Sequence, residues 1–313
     1  MIASRGSRLA LRQVEIVSEQ LRAVHPEVEV QVHIVKTQGD RDQRPFAAIG
    51  GKGLFTSEVE RAVVEGEADV AVHSAKDVTA ELAEGCALVC IPARANVADV
   101  VVGGEGVSGE ERLGSLPDGA KVGTSSMRRR ALLAEARPDL ETVELRGNLD
   151  TRLGKVADGA VDAAILAAAG IERLGPDVPL AALGSDWWVP APGQGALALE
   201  ALAERADVAA LLAPIEDATA RAELEAERAF GLALEGGCSV PLGCLARANG
   251  GHLTVVGYLA LPDASRSMRD RISGAPHEAE ALGRELARAI LEGGGDEILE
   301  ELRYEEAPPV SPP

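Results

Sequence analysis

The chain is 313 residues long, with 46% apolar and 26% charged residues and a formal net charge of −19. That length exceeds one compact core and implies two or three domains, and no run approaches the roughly 20 apolar residues of a membrane span. The acidic balance excludes a nucleic-acid partner, which calls for a basic footprint.

Leu9, Gln13, Val17, Leu21 and Val24 recur at helical spacing, and residues 28–34 alternate as a half-buried strand does. Residues 52–65 read as a helix with a stripe of Leu54, Val59, Ala62 and Val63, followed by a short strand over 69–72. Further strands are expected near 100–103, 121–123, 142–145 and 162–166, with helices between them. This alternation predicts an α/β protein whose mainly parallel sheets carry helices on both faces. In such sheets, ligands sit at the loops leaving the C-terminal strand ends. The last third differs. Residues 218–234 form a long helix ended by Gly236 and Gly237, just before Cys238. Strands at 252–261 and 267–274 are joined by a tight turn, and a helix over 277–302 is interrupted by Gly293, Gly294 and Gly295. That makes a small α+β domain. The four prolines of 307–313 predict a disordered tail.

Arg5, Arg8 and Arg12 break any apolar run at the start, so no secretory signal is read there and a cytoplasmic protein is expected. Four cysteines are too few for a disulfide scaffold, and Cys86 and Cys90 lie in an apolar run. The five histidines form no ligand cluster, so no metal is expected. Residues 104–109 match GxGxxG, but Glu105, Glu110 and Glu111 would crowd a pyrophosphate.

Basic residues fall where strands end. Gly123, Thr124, Ser125 and Ser126 leave a strand and open a helix that begins Met127, Arg128, Arg129, Arg130. Hydroxyls, free backbone N–H groups and guanidinium forks together suit carboxylates. Arg5 with Ser7, Arg146 with Arg152, and Arg173 occupy other strand exits. Four such clusters in a protein of net charge −19 point to a ligand carrying many carboxylates. His73, Ser74, Ala75, Lys76 and Asp77 leave another strand. Asp77 there is either a helix cap or an acidic group that stabilises a cation or moves protons.

The motifs IASRGSRLAL, GGKGLF, VHSAKD, VGTSSMRR, LRGNLDTRL, PAPGQGAL and EGGCSVP follow one another over residues 2 to about 303. In order and spacing they resemble the porphobilinogen deaminase family. The resemblance implies head-to-tail condensation of four porphobilinogen units, with release of ammonia, to hydroxymethylbilane. It implies a dipyrromethane cofactor on a thioether to Cys238. Asp77 would assist pyrrole protonation and stabilise the azafulvene cation formed as ammonia leaves. Lys76, Ser74, Thr124, Ser125, Ser126, Arg128, Arg129, Arg146 and Gly147 match the cofactor's binding groups. Arg5, Ser7, Gln13, Arg146, Arg152, Arg173 and Gln194 match those of the substrate, and Lys52 falls in a loop over the cleft. The pattern is broken at Ala48, at 95–98 and at Asp150. A monomer is implied, in which two lobes (1–93 with 191–215, and 94–190) resemble the periplasmic-binding-protein fold. The C-terminal domain would span 216–306. A two-lobed protein that merely binds a polycarboxylate is the alternative.

Overall fold

The computed structural model describes residues 1–37, 56–79, 81–234 and 240–306, with side chains to residue 303. The expectations placed on Ala48, Lys52, Cys238 and the tail lie outside these residues, as does the first turn of the helix expected over 52–65.

In the first sheet, β1 (Ile2–Arg5) lies between β2 (Val32–Val35) and β3 (Val70–Ser74), parallel to both. β4 (Cys86–Cys90) is the far edge. The second sheet has β7 (Glu141–Val143), β6 (Lys121–Gly123), β8 (Ala163–Ala167), β5 (Asp99–Gly103) and β9 (Leu180–Ala182) in that order. β10 (Leu197–Leu202) returns to the first sheet, between β3 and β4. The strand expected over 28–34 begins only at Val32, because its partner β1 starts at Ile2 and the register pairs Ile2 with Val32.

The two sheets repeat one pattern. In each, four strands run one way and a fifth runs against them. That fifth strand is the first one after a crossing: β5 as the chain leaves the first sheet, β10 as it comes back. The crossings lie side by side, with Ala95 N donating to Gly195 O at 3.2 Å and Gln194 Nε2 to Val97 O at 2.8 Å.

Helices cover both faces. α1 (Arg8–Val24) packs Val14, Val17 and Leu21 on Val70, Val72 and Leu199, while α2 (Ser57–Val64) packs Val59, Ala62 and Val63 on the opposite face. The second sheet is covered by α3 (Gly109–Ser115), α4 (Met127–Ala136), α5 (Leu149–Ala157) and α6 (Ala168–Leu174). At α3, Ser108 caps the helix and Glu111 accepts from Val107 N at 2.7 Å, so an acid fills that N-terminus.

After α7 (Ala206–Leu212), α8 (Ala218–Ala233) leads into a third layer. There β11 (Leu242–Asn249), β12 (His252–Ala260) and β13 (Ser267–Gly274) form an antiparallel sheet. α8 and α9 (Ala279–Ile290) cover one face through Phe230, Leu286 and Ile290. A π-type turn, Leu291–Gly295, holds Gly294 at φ 113° and opens α10 (Asp296–Glu306), as the triple glycine foretold. The other face of the sheet meets the second lobe through Leu245 and Tyr258 against Trp188 and Val189.

A buried ion pair joins all three layers. Arg94, on the first crossing, reaches Glu227 of α8 at 2.8 Å through two N–H groups and Glu223 at 3.2 Å, and donates to Gln194 O on the second crossing. Glu227 also accepts from Gly193 N and Ala246 N.

Candidate active site

β3 is buried from Val70 to His73 and surfaces at Ser74, where the chain turns into one 3-10 turn, Ala75–Asp77. Ala75 and Val78 seat the turn on Ala220 and Leu224 of α8. That leaves Lys76 and Asp77 facing solvent between the lobes. The start of the turn is pinned twice: Gln13 Nε2, buried on α1, donates to Ser74 Oγ at 2.7 Å, and Ala75 N donates to Ala196 O at 3.0 Å. Gly193 presses on it from behind. It sits at φ 72°, and a Cβ there would lie 2.9 Å from Lys76 N, so only glycine serves.

Lys76 is reachable by solvent, yet its ammonium is walled in by protein. That crowding, with the charges of Arg129 and Arg128, pushes its pKa down to about 8 against the pull of Asp77 and Asp99. Arg152, across the cleft, is pushed down to about 10 by burial first and Arg129 second, with Asp77 opposing. Arg173 is likewise lowered to about 10 by burial, with Glu172 opposing. Asp77 thus lies within electrostatic reach of both Lys76 and Arg152, although 75 residues separate it from Arg152 in sequence. Cations made less favourable in this way are poised to gain from an anionic ligand.

The remaining predicted residues fall into two groups. Arg146, Gly147 and Arg152 share one wall. Arg146 Nε donates to Glu144 at 2.6 Å, Arg152 Nε donates to Gly147 O at 2.9 Å, and Gly147 holds φ 109°. Arg173 Nη2 donates to Gly195 O on the returning crossing at 2.7 Å. Arg5 ends β1, and Ser7 caps α1 by accepting from Ala10 N at 3.2 Å. Thr124, Ser125 and Ser126 form the exit from β6. Ser125 Oγ donates to Leu145 O at 2.7 Å, Ser126 caps α4, and Thr124 Oγ1 accepts from Ser126 N.

Arg128, Arg129 and Gln194 converge instead on Asp99, which the sequence reading did not single out. The two arginines are 4% and 6% exposed. Arg128 Nη2 donates to Asp99 Oδ2 at 2.8 Å, and Arg129 Nη2 to Oδ1 at 2.6 Å. Gln194 Nε2 and Trp188 Nε1 donate to the same carboxylate at 2.9 and 2.8 Å. Burial opposes ionisation of Asp99, but the two guanidiniums overcome it and hold the carboxyl far below the usual range. A buried carboxylate needs this many donors, so these side chains brace the cleft wall where both crossings meet.

Asp99 was hidden because a lone Asp opening an apolar strand reads as a surface residue. Asp150, a departure from the family pattern, bridges the lobes by accepting from Arg8 at 2.7 Å. A cavity of about 560 Å³ is lined by Ser185, Asp186 and residues of the C-terminal sheet, and includes no residue of the Lys76–Asp77 turn. Among the described residues no cluster suited to a metal ion occurs, and no described helix is long and apolar enough to cross a membrane.

Comparison with known sequences agrees with the geometry. The family model "Porphobilinogen deaminase, dipyromethane cofactor binding domain" matches residues 1–210, and "Porphobilinogen deaminase, C-terminal domain" matches 222–292. The porphobilinogen deaminase of Syntrophus aciditrophicus is 43% identical over 96% of this chain and 98% of its own length. That of Stenotrophomonas maltophilia strain K279a is 45% identical over 95% and 98%. The aliphatic sulphonate binding protein SsuA of Escherichia coli aligns over 75% of this chain and 70% of its own at 14% identity, with a TM-score of 0.39.

Proposed function

The chain belongs to the porphobilinogen deaminase family, and from that premise we propose that it is the transferase that joins four porphobilinogen units head to tail, releasing ammonia, to give hydroxymethylbilane. The observation that carries the assignment of roles is the Ala75–Asp77 turn, which presents an acid and a cation of lowered pKa to a cleft edged with arginines.

The donor set fits a dipyrromethane: its carboxylates need forked and point cations, and the described walls supply Lys76, Arg146 and Arg152 beside the Ser74 and Thr124–Ser126 hydroxyls. When bound, the cofactor supplies the pyrrole position at which the chain is extended. Cys238, following α8 in sequence, is assigned as its thioether anchor. Arg5, Ser7, Gln13 and Arg173 take the incoming porphobilinogen, whose acetate and propionate add two negative charges per unit. Arg128, Arg129 and Gln194 act from behind, through Asp99, by keeping the basic wall in place. Asp77 delivers a proton toward the departing amine and faces the cation left on the substrate, where a nearby carboxylate lowers the barrier. Lys76 beside it receives a carboxylate and regains its charge. A monomer acting in the cytoplasm completes the reading.

Replacing Asp77 by Asn keeps the shape of the turn and removes the charge. Turnover should fall on the order of 10²-fold or more, while porphobilinogen binding, measured by calorimetry, stays within about threefold. Near-normal turnover would remove Asp77 from this role.

A further inference from the structure

Beyond the β6–β7 ladder the chain carries part of the basic wall on a loop held by side chains. The parallel register ends where Gly123 pairs with Val143, and Thr124 N donates to Val143 O at 2.9 Å. From there Ser125 Oγ donates to Leu145 O at 2.7 Å, Lys155 Nζ to Arg146 O at 3.4 Å and Arg152 Nε to Gly147 O at 2.9 Å. Three successive carbonyls are thus each met by a donor. Asn148 then caps α5, its Oδ1 accepting from Thr151 N and Thr151 Oγ1, both at 2.9 Å. Gly147 makes the turn at φ 109°, where a Cβ would lie 2.7 Å from the Thr151 side chain.

The main chain under Arg146 is therefore fixed, and the freedom left to its guanidinium lies in the side chain. Leu145 is turned into the core, 1% exposed. Glu144 and Arg146, on either side of it, meet on the outer face, where Oε1 of Glu144 accepts from Nε of Arg146 at 2.6 Å. Their side chains are 47% and 21% exposed. An ion pair so open adds little to the stability of a fold. It also sets a carboxylate in a wall suited to carboxylate ligands, where its charge opposes them. Neither stability nor charge gives Glu144 a purpose there. Geometry does, because an acceptor on Nε fixes the plane in which the Nη groups of the guanidinium lie.

We propose that Glu144 is a positioning residue, which by accepting from Nε of Arg146 presets that guanidinium fork for a carboxylate of the pyrrole ligand. It does for the side chain what Ser125, Lys155 and Arg152 do for the main chain, and it makes no contact with the ligand itself. Presetting one long side chain removes its ordering cost from binding, which is worth about threefold to tenfold in affinity. Repulsion from a half-exposed charge is screened by salt, whereas the geometric gain is not. At ordinary ionic strength the gain therefore outweighs the repulsion. The effect on turnover rests on the function proposed above; the state of the Arg146 side chain does not.

The test uses the holoenzyme at about 0.15 M salt. Glu144→Gln keeps an oxygen acceptor for Nε and removes the charge, while Glu144→Ala removes both. In Glu144→Ala the KM for porphobilinogen should rise about threefold to tenfold with kcat within about twofold, since Arg146 meets the ligand's carboxylates rather than its reacting atoms. In Glu144→Gln the KM should stay at or below about twice the parent value. Repulsion alone would lower KM in both variants, more so at lower salt, and an idle surface pair would leave both unchanged. Either result overturns the proposal, as does an equal rise in both. A readout apart from turnover is the Nε–H of Arg146 in protein labelled with ¹⁵N-arginine, assigned by its loss in Arg146→Lys. It should exchange slowly with water in the parent and in Glu144→Gln, and at least about tenfold faster in Glu144→Ala; an unchanged rate overturns the proposal. Should Glu144→Ala fail to fold, Glu144→Val, which suits a strand end, takes its place with the same expectations. Failure of the proposed function would show separately, as a parent without turnover whose Arg146 Nε–H still exchanges slowly.

Discussion

Lys76 and Asp77 are adjacent in sequence and both exposed at the turn. Lys76 is held at about 8, well below its ordinary 10.5, by crowding and by Arg129. A lowered lysine pKa means that the unfolded chain binds more protons than the native one between about pH 8 and 10.5. Native stability is therefore reduced below about pH 8, and the penalty is relieved as pH rises through that window. An anion settling beside Lys76 reverses the shift. Binding of a non-reacting pyrrole dicarboxylate to the cofactor-free chain at pH 9 should accordingly take up a fraction of a proton, and the uptake should vanish in Lys76→Met. Calorimetry in buffers of different ionisation enthalpy measures it; release of protons, or uptake unchanged in the variant, would contradict the placement. At this scale the motif residues were legible because polar groups at strand exits have few structural duties. Asp99 and Glu200 were not, because a buried acid is recognised by its partners, and those lie 29 residues or more away in sequence.

Among the elements, α1 was readable from its apolar stripe, α8 and α9 as long helical runs bounded by glycines, and β12 and β13 from their length and the tight turn between them. β4, β9 and β10 were not. They are short and made mainly of Ala, Leu, Val and Cys, and β10 carries Glu200 in its middle, so periodicity cannot separate them from buried helix or loop. β10 is nonetheless the strand that makes the first sheet mixed, and it fixes Ala75 through Ala196. The crossing of α8 and α9 depends on a single missing side chain: a Cβ at Gly283 would stand 2.1 Å from Ala226 O. Gly283→Ala should therefore destabilise the C-terminal layer by about 1–3 kcal/mol, or more where the helices cannot part, despite alanine's better helix propensity. Chemical denaturation reads the change, and an unchanged or raised midpoint would show that the helices separate at little cost.

For the whole molecule, the excess of acid and the clustering of arginine are two sides of one arrangement. Negative charge is spread over the surface. The cations at strand ends face a cleft, and the buried ones are neutralised by Asp99 or by Glu227 at the junctions between layers. Alternation of strands and helices revealed helix-covered parallel sheets and a smaller α+β part, and the motif resemblance supplied the two lobes. It could not reveal that both crossings meet at Asp99 and Arg94, since no local pattern records which distant segments touch. The proposed function draws on this architecture: an acid on the β3 turn and a basic wall suited to a product gaining two charges at each step, with Cys238 as the proposed anchor. The most direct measurement is the intact mass of the purified chain beside Cys238→Ser. The parent should carry the added mass of two linked pyrrole units and the variant none at that position. A parent of unmodified mass that stays inactive after preincubation with porphobilinogen would contradict the account.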